Sequence, residues 1–306
     1  MLKEIKEIPQ KARLVYEQNV KLSLPAGAPY IGMGSSYYAT LALYYQGISV
    51  IPEVASEFYN YRKRQSKPNL GVLISQSGRS SEVLWCSKLF NNYMAITNVP
   101  DSPLAKEENV SKVVDIMAGP ERHSSTKTYI NTLITLYRGH KLDPGKAVEA
   151  LEQNINKYED WGAESAEKIY QLINKREQKG LFIIGNGPNI ATANQSALIL
   201  SESTRYGFAA MPVSQFDHGP KESARNSVVI AIDTPGPGSV RTQRLLQLVK
   251  NAGGLVIHLQ EDEIAENFSP ITTIMPMNFL TYHLAKKLSI SKTFSIGSKV
   301  TEAEKK

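Results

Sequence analysis

The sequence predicts an α/β protein built of two tandem domains, each a parallel sheet with helices on both faces (an αβα sandwich). Three observations carry that expectation. Short apolar runs alternate with stretches of helical periodicity along nearly the whole chain. The loops that join them are short, and each apolar run is followed by a helical stretch long enough for a crossover. The pattern of the first half then returns in the second at an offset of roughly 150–160 residues, too long for a solenoid repeat.

Taken in order, residues 4–22 place Ile5, Ile8, Ala12, Val15, Tyr16 and Val20 at helical spacing, with Pro9 suited only to a first turn or a break. Residues 29–34 read as a buried strand ending in glycine, and Ser35-Ser36 caps a helix to about Tyr45. Residues 50–54 form a short strand, and Ala55-Ser56-Glu57-Phe58 opens another helix. The apolar run Val72-Leu73-Ile74 ends in Ser75-Gln76-Ser77-Gly78-Arg79-Ser80, then in a helix through Glu82 and Trp85 to about Phe90. Residues 93–98 and 112–117 are strands, and residues 119–127 form a polar loop feeding an apolar helix to about Tyr137. Residues 141–180 have no strand signal and read as linking helices. In the second half, residues 181–187, 227–233, 254–259 and 271–275 repeat the strands at 30–34, 71–76, 93–98 and 113–117. The expected domains are residues 1–145 and 146–306.

The 306 residues carry a formal charge of +6 and a pI near 9.1. That mild basicity favours anionic metabolites, and no aromatic-basic motif points to nucleic acid. The single cysteine, Cys86, excludes an internal disulfide and fits a reducing compartment. The charged N-terminus is no signal peptide, and no apolar run approaches the roughly 18–20 residues of a membrane helix. A soluble cytoplasmic protein is expected, with no membrane partner. The five histidines are dispersed, so no metal site is expected. No Walker loop occurs, and Gly185-Asn186-Gly187 is too short for a dinucleotide fingerprint, so no cofactor is expected.

Three places suit chemistry. The loop at 75–80 lies between an apolar strand and a helix, where free N–H groups favour an anion and serine hydroxyls add donors. Without a lysine it suits a sugar phosphate better than a triphosphate; the alternative is an ordinary serine-rich turn. The matching loop of the second half, Thr234-Pro235-Gly236-Pro237-Gly238, loses N–H donors to its prolines. Glu202 sits in an apolar helix pattern, as a general base tuned by desolvation requires, or is simply a partly exposed helix glutamate. His218, held before Gly219-Pro220, is a better acid/base candidate than a histidine on a helix face. His123 lies in a polar loop and could touch a ligand. His258 and His283 read as core, and His140 adjoins a linker.

Together these residues resemble the sugar isomerase (SIS) family, and within it the isomerase half of glucosamine-6-phosphate synthase. Met1-Leu2-Lys3-Glu4-Ile5-Lys6-Glu7-Ile8-Pro9, Gly34-Ser35-Ser36-Tyr37, Ala55-Ser56-Glu57-Phe58, Ser75-Gln76-Ser77-Gly78, Asn98-Val99-Pro100 and Ser125-Thr126-Lys127 follow the family's motifs in order. Glu202 and His218-Gly219-Pro220 keep its sixteen-residue spacing. The resemblance implies tandem SIS domains. Ser36, Ser75, Gln76, Ser77 and Ser80 would then hold the phosphate and nearby hydroxyls, with Ser125 lining the same pocket; Ser35 and His123 are further binding candidates. Glu202 would move a proton between C1 and C2, and His218 would open the sugar ring from the neighbouring subunit of a homodimer.

Two departures bear on the reaction. The family lysine three residues before the glutamate is Ile199 here. The Schiff-base lysine falls on Ser298 in Ser298-Lys299-Val300-Thr301, so Lys299 could serve only after a one-residue slip. The chain also starts directly with the isomerase half, which argues against glutamine-dependent synthesis. The resemblance therefore implies a deaminase that converts glucosamine 6-phosphate and water to fructose 6-phosphate and ammonia. The alternatives are a deglycase or isomerase for another phosphorylated amino sugar, and a sugar-phosphate-binding protein without turnover.

Overall fold

In the computed structural model, which describes residues 1–62, 67–175 and 178–300, the apolar runs pair into two parallel sheets. In chain order the elements are α1 (Leu2–Lys6), α2 (Ile8–Gln18), β1 (Pro29–Gly32), α3 (Ser35–Tyr45), β2 (Ile51–Val54), α4 (Ala55–Tyr61), β3 (Leu70–Ile74) and α5 (Ser81–Ser87). There follow β4 (Asn92–Thr97), α6 (Pro103–Lys106), β5 (Val110–Asp115), α7 (Lys127–Gly139), α8 (Gly145–Gln153) and α9 (Ile155–Asn174). The last are β6 (Leu181–Gly185), α10 (Asn189–Thr204), β7 (Ala209–Pro212), α11 (Val213–Asp217), β8 (Val228–Asp233), α12 (Ser239–Asn251), β9 (Leu255–Gln260) and α13 (Ser269–Lys287).

The chain divides into two compact units. The first comprises Glu7–Gly145 and Phe294–Lys306, the second Met1–Lys6 and Lys146–Thr293. The expected cut at 145/146 assigns each terminus to the half it adjoins in sequence, and here the contacts group them otherwise. α1 packs against α13 through buried Ile5, while Lys299 reaches Glu121 in the first unit. Thr301, the last residue of the C-terminal motif, lies outside the described residues.

The first unit holds the sheet β2-β1-β3-β4-β5, parallel throughout. β1 and β4 are almost wholly buried, as strands covered on both faces must be. One face packs Phe58 of α4 on Phe90, rings 5.6 Å apart and 6° from parallel, over Leu73 and Cys86. Gly71 lets β3 pass under that ring, because a Cβ there would lie 2.5 Å from Phe90. Burial pushes the Cys86 thiol up to about 12, so it acts as a small core hydrophobe.

The second unit holds the parallel sheet β7-β6-β8-β9. All six residues of β8 are buried. α13 is buried along most of its length and packs on α9 and α10. Gly162 brings α9 to α13 at backbone distance, since a Cβ there would stand 2.6 Å from the Leu280 amide.

Two local expectations are corrected. Residues 271–275 are not a strand: they open α13, behind Pro270 in its first turn. A short run of β-branched apolar residues fits a buried helix as well as a strand, and here the helical pattern beyond it decides. The fourth strand of the second sheet is instead β7, Ala-Ala-Met-Pro, which carries no strand-favouring residue. Among the described residues, no helix is long and apolar enough to cross a membrane.

Candidate active site

In the first unit, the chain leaves β1 to one side to form β2, then crosses to the other side of β1 to form β3. The loops after β1 and β3 therefore flank a switch point at the carboxyl edge of the sheet, where open α/β sheets bind ligands. Ser35 and Ser36 open α3 from one side; Ser75, Gln76, Ser77 and Ser80 come from the other. Both groups face that edge because each follows the last residue of its strand.

The loop after β3 is tightly organised. The Gly78 amide donates to Ser75 Oγ (3.1 Å), and the Arg79 amide to Ser77 Oγ (3.2 Å). The Ser75 and Ser80 hydroxyls lie 3.2 Å apart. A hydroxyl that accepts a backbone N–H keeps its own O–H to donate, so Ser77 retains a donor, while Ser75 and Ser80 share one hydrogen bond. α5 has only seven residues, so these hydroxyls and the 11-residue α3 supply the anion-favouring groups, rather than the α5 dipole. Gly78 has φ +61°, and a Cβ on it would sit 1.9 Å from Ser102 Oγ. Gly78→Ala is expected to lower stability by about 2–5 kcal/mol, from left-handed backbone strain and a displaced Ser102. A shift of the urea midpoint at unchanged slope measures it.

The loop after β5 carries the other candidates of this unit. His123 and Ser125 are partly exposed, between buried Glu121 and α7. Ser125 Oγ lies 2.5 Å from Thr128 Oγ1. Asn98, after β4, ties the loop down by donating to the Gly119 carbonyl (2.8 Å) and accepting from the Ala118 amide (2.8 Å).

Glu121 was not singled out by the sequence. Its carboxylate is fully buried and accepts from the Thr126 amide (2.9 Å), Thr126 Oγ1 (3.1 Å), the Thr128 amide (3.3 Å) and Thr128 Oγ1 (2.7 Å). It thus satisfies the open first turn of α7, which Thr126 itself does not cap. Lys299 Nζ binds the same carboxylate at 2.9 Å and the Glu121 carbonyl at 3.1 Å. A second pair, Lys127 Nζ to Glu7 at 2.6 Å, fixes the other side of the loop.

The second unit holds Glu202 and His218. Glu202 is partly exposed in the last turn of α10, beside buried Ile199, Leu200 and Ser203. α10 ends there at Arg205, whose φ of 66° is left-handed. His218 is exposed at the C-terminal end of α11, its amide donating to the Ser214 carbonyl (3.1 Å). Beside it, Asp217 accepts from Lys221 Nζ (2.9 Å) and from Arg241 Nη2 (2.7 Å) and Nε (3.2 Å). These cations, Lys221 foremost, hold its carboxyl below the usual range. Together they line a cleft of about 340 Å³ with His218, Gly219 and Glu222. Of the other histidines, His140 bonds Tyr30 Oη (2.8 Å), and His258 stands 31% exposed beside Asp233 rather than in the core.

Two parallel sheets, one with a hydroxyl-rich loop at its switch point, define an open α/β protein. No model of a known protein family matches the chain. It is similar to the glutamine–fructose-6-phosphate aminotransferase (isomerizing) of Pyrococcus horikoshii, 28% identical over 328 residues that cover 93% of this chain and 54% of the relative. The chain thus spans about half the length of the curated relatives it matches. In fold it resembles a glucosamine-6-phosphate deaminase from Thermotoga maritima (TM-score 0.77, 21% identity, 95% of each chain). It likewise resembles the C-terminal domain of glucosamine-fructose-6-phosphate aminotransferase from Francisella tularensis (TM-score 0.75, 23% identity, 95% of this chain and 96% of that one). The resemblance drawn from the motifs is found again in these comparisons.

Proposed function

We propose that the chain is an amino-sugar phosphate deaminase that converts glucosamine 6-phosphate and water to fructose 6-phosphate and ammonia. The observation that carries this reading is the serine-rich loop at 75–80, which lies at the switch point of the first sheet and contains no lysine. Phosphate there accepts from Ser35, Ser36, Ser75, Gln76, Ser77 and Ser80, each charge-assisted bond contributing about 1.5–3 kcal/mol. Such anchoring fixes the sugar carbons for reaction. His123 and Ser125 contact the sugar.

In this reading His218, supplied by the neighbouring subunit of a homodimer, assists ring opening. Glu202 takes the C2 proton of the open-chain aldehyde, leaving an enolamine, and returns it to C1. C2 then carries an imine. Water adds to it, ammonia leaves, and C2 becomes the carbonyl of fructose 6-phosphate. The substrate brings its own nitrogen, so no enzyme amine is needed. Two observations agree with this. Ile199, at the position of the family lysine, is fully buried, and Lys299 is bonded to Glu121.

Purified protein incubated with glucosamine 6-phosphate is expected to release ammonia and fructose 6-phosphate in equal amounts, read by glutamate dehydrogenase coupling. Binding of the sugar phosphate without ammonia overturns the reading. A panel of other phosphorylated amino sugars and fructosamines identifies a different substrate, and fructose 6-phosphate with ammonium tests the reverse direction.

A further inference from the structure

Hydrogen-bond donors are unevenly distributed along the carboxyl edge of the first sheet, and Glu121 sets the unevenness. The Asn98 amide donates to the Gln76 carbonyl (3.0 Å), and the Asn98 side chain holds Ala118 and Gly119. The loops after β3, β4 and β5 are thus bonded in series. The last of them runs into α7, 13 residues long, which packs beside α3. The first-turn N–H groups of such a helix ordinarily favour an anion. In α7 the Thr126 and Thr128 amides are already taken by the fully buried Glu121 carboxylate, which Lys299 neutralises. The anion-favouring groups left at this edge belong to the loop at 75–80 and to α3.

The same carboxylate decides which way a short chain of hydroxyls points. Five donors converge on its two oxygens, so it only accepts. Thr128 Oγ1 donates to Glu121 Oε2 (2.7 Å), and a threonine hydroxyl has a single proton to give. Ser125 Oγ lies 2.5 Å from Thr128 Oγ1, so the proton between those two oxygens is the serine's. Thr128 is 1% exposed, which keeps its hydroxyl from turning to water instead. Ser125 is partly exposed at the entry to α7. What it can offer a ligand is a lone pair, its O–H being committed to Thr128. Ser77, in the loop after β3, has the opposite polarity: it accepts the Arg79 amide and keeps its O–H.

We propose that Glu121 and Thr128 determine specificity by fixing Ser125 as an acceptor, so that the ligand group meeting Ser125 is a donor, a hydroxyl or an amine, and not the phosphate. This rests on the reading that a sugar phosphate binds at this edge, and it holds whichever reaction follows. An anion at the loop 75–80 and a donor at Ser125 give the ligand one orientation. A ligand with an acceptor in place of that donor sets two lone pairs against each other. A site built to hydrogen-bond a group rejects the analogue that lacks it, because its own polar atom is left unpaired. Glu121 and Thr128 act through Ser125 and are positioning residues.

Calorimetric titration of the full chain with unreactive ligands tests this without turnover. Glucitol 6-phosphate is compared with its monodeoxyfluoro analogues, in which one hydroxyl at a time becomes fluorine, an acceptor that cannot donate. One analogue is expected to bind about three- to tenfold more weakly than the parent, the effect of one neutral hydrogen bond, and Ser125→Ala should abolish that difference. Inorganic phosphate should bind Ser125→Ala as it binds the wild type. Thr128→Val breaks the relay and releases the serine proton, so the difference should shrink there too. Thr128→Ser keeps the O–H and should keep the full difference, a split that a merely structural role would not produce. If Thr128→Val does not fold, Ser125→Ala carries the test. The proposal is overturned if no analogue shows a difference that depends on Ser125, if Ser125→Ala weakens inorganic phosphate as much as glucitol 6-phosphate, or if Thr128→Val and Thr128→Ser behave alike. Ser125-dependent discrimination without ammonia release from glucosamine 6-phosphate would remove the deaminase reading and leave this one standing; no binding of glucitol 6-phosphate would remove both.

Discussion

Replacing Glu202 by glutamine is expected to lower turnover of glucosamine 6-phosphate by about 10²–10⁴-fold, the range of a lost general acid/base. Glutamine keeps the shape of the side chain and cannot take the C2 proton. The serine loops of the first unit are untouched, so affinity for an unreactive sugar phosphate should stay within about threefold, since the remote phosphate anchors the ligand by bonds the variant retains. Initial rates of ammonia release and calorimetric titration with glucitol 6-phosphate measure the two quantities separately. Parallel loss of both would make Glu202 a binding or structural group. Unchanged turnover would remove it from the mechanism, and turnover absent from both wild type and variant would leave a protein that binds sugar phosphate without chemistry.

The second large effect concerns stability. Glu121→Ala is expected to destabilise the protein by about 3–5 kcal/mol, because it leaves a lysine and several buried donors without their acceptor. The stranded groups are Lys299 Nζ, the Thr126 and Thr128 amides and both threonine hydroxyls. Lys299→Met removes only one of these bonds and leaves the carboxylate its other donors, so its cost should be clearly smaller. Urea denaturation of the two single variants and the double variant completes the cycle. A coupling between about 0.5 and 3 kcal/mol is the signature of a direct pair. A loss below 1 kcal/mol in Glu121→Ala would mean that the loop before α7 is held by Asn98 and the Lys127–Glu7 pair instead.

These two residues also mark how far the sequence could be read. The strand–turn–helix setting of the serine loop and the helical position of Glu202 were legible because local pattern carries their signal. The loop needs an apolar strand, a Gly78 that permits a left-handed turn, and a helix behind it, all within a few residues. β3, β4 and β8 were legible for a related reason: strands buried on both faces are continuously apolar. The misreadings came where local signal is silent or double-edged. Ile271–Met275 is β-branched and apolar, which fits a strand until the periodic residues beyond it are weighed. Ala209–Pro212 pairs with β6 through backbone alone, and nothing in its side chains announces that. Glu121 and Lys299 meet across 178 residues of chain. The local trace was the pair Thr126 and Thr128 opening α7 without a capping side chain of their own, which asks for an acceptor from elsewhere.

The exchanged ends of the two units have a consequence for how the protein is made. Glu7–Gly145 leaves the ribosome with its five strands ready to pair, yet the partner of its buried glutamate is still unmade. Until Lys299 has been translated and has emerged, that carboxylate lacks its cation, and the loop carrying His123 and Ser125 is incompletely held. The early-made sheet can therefore collapse during synthesis, but the loop at 119–126 on its edge matures only after the later-made sheet has been translated. A nascent chain arrested before residue 294 should show native-like strand protection together with a protease-sensitive segment at 119–126.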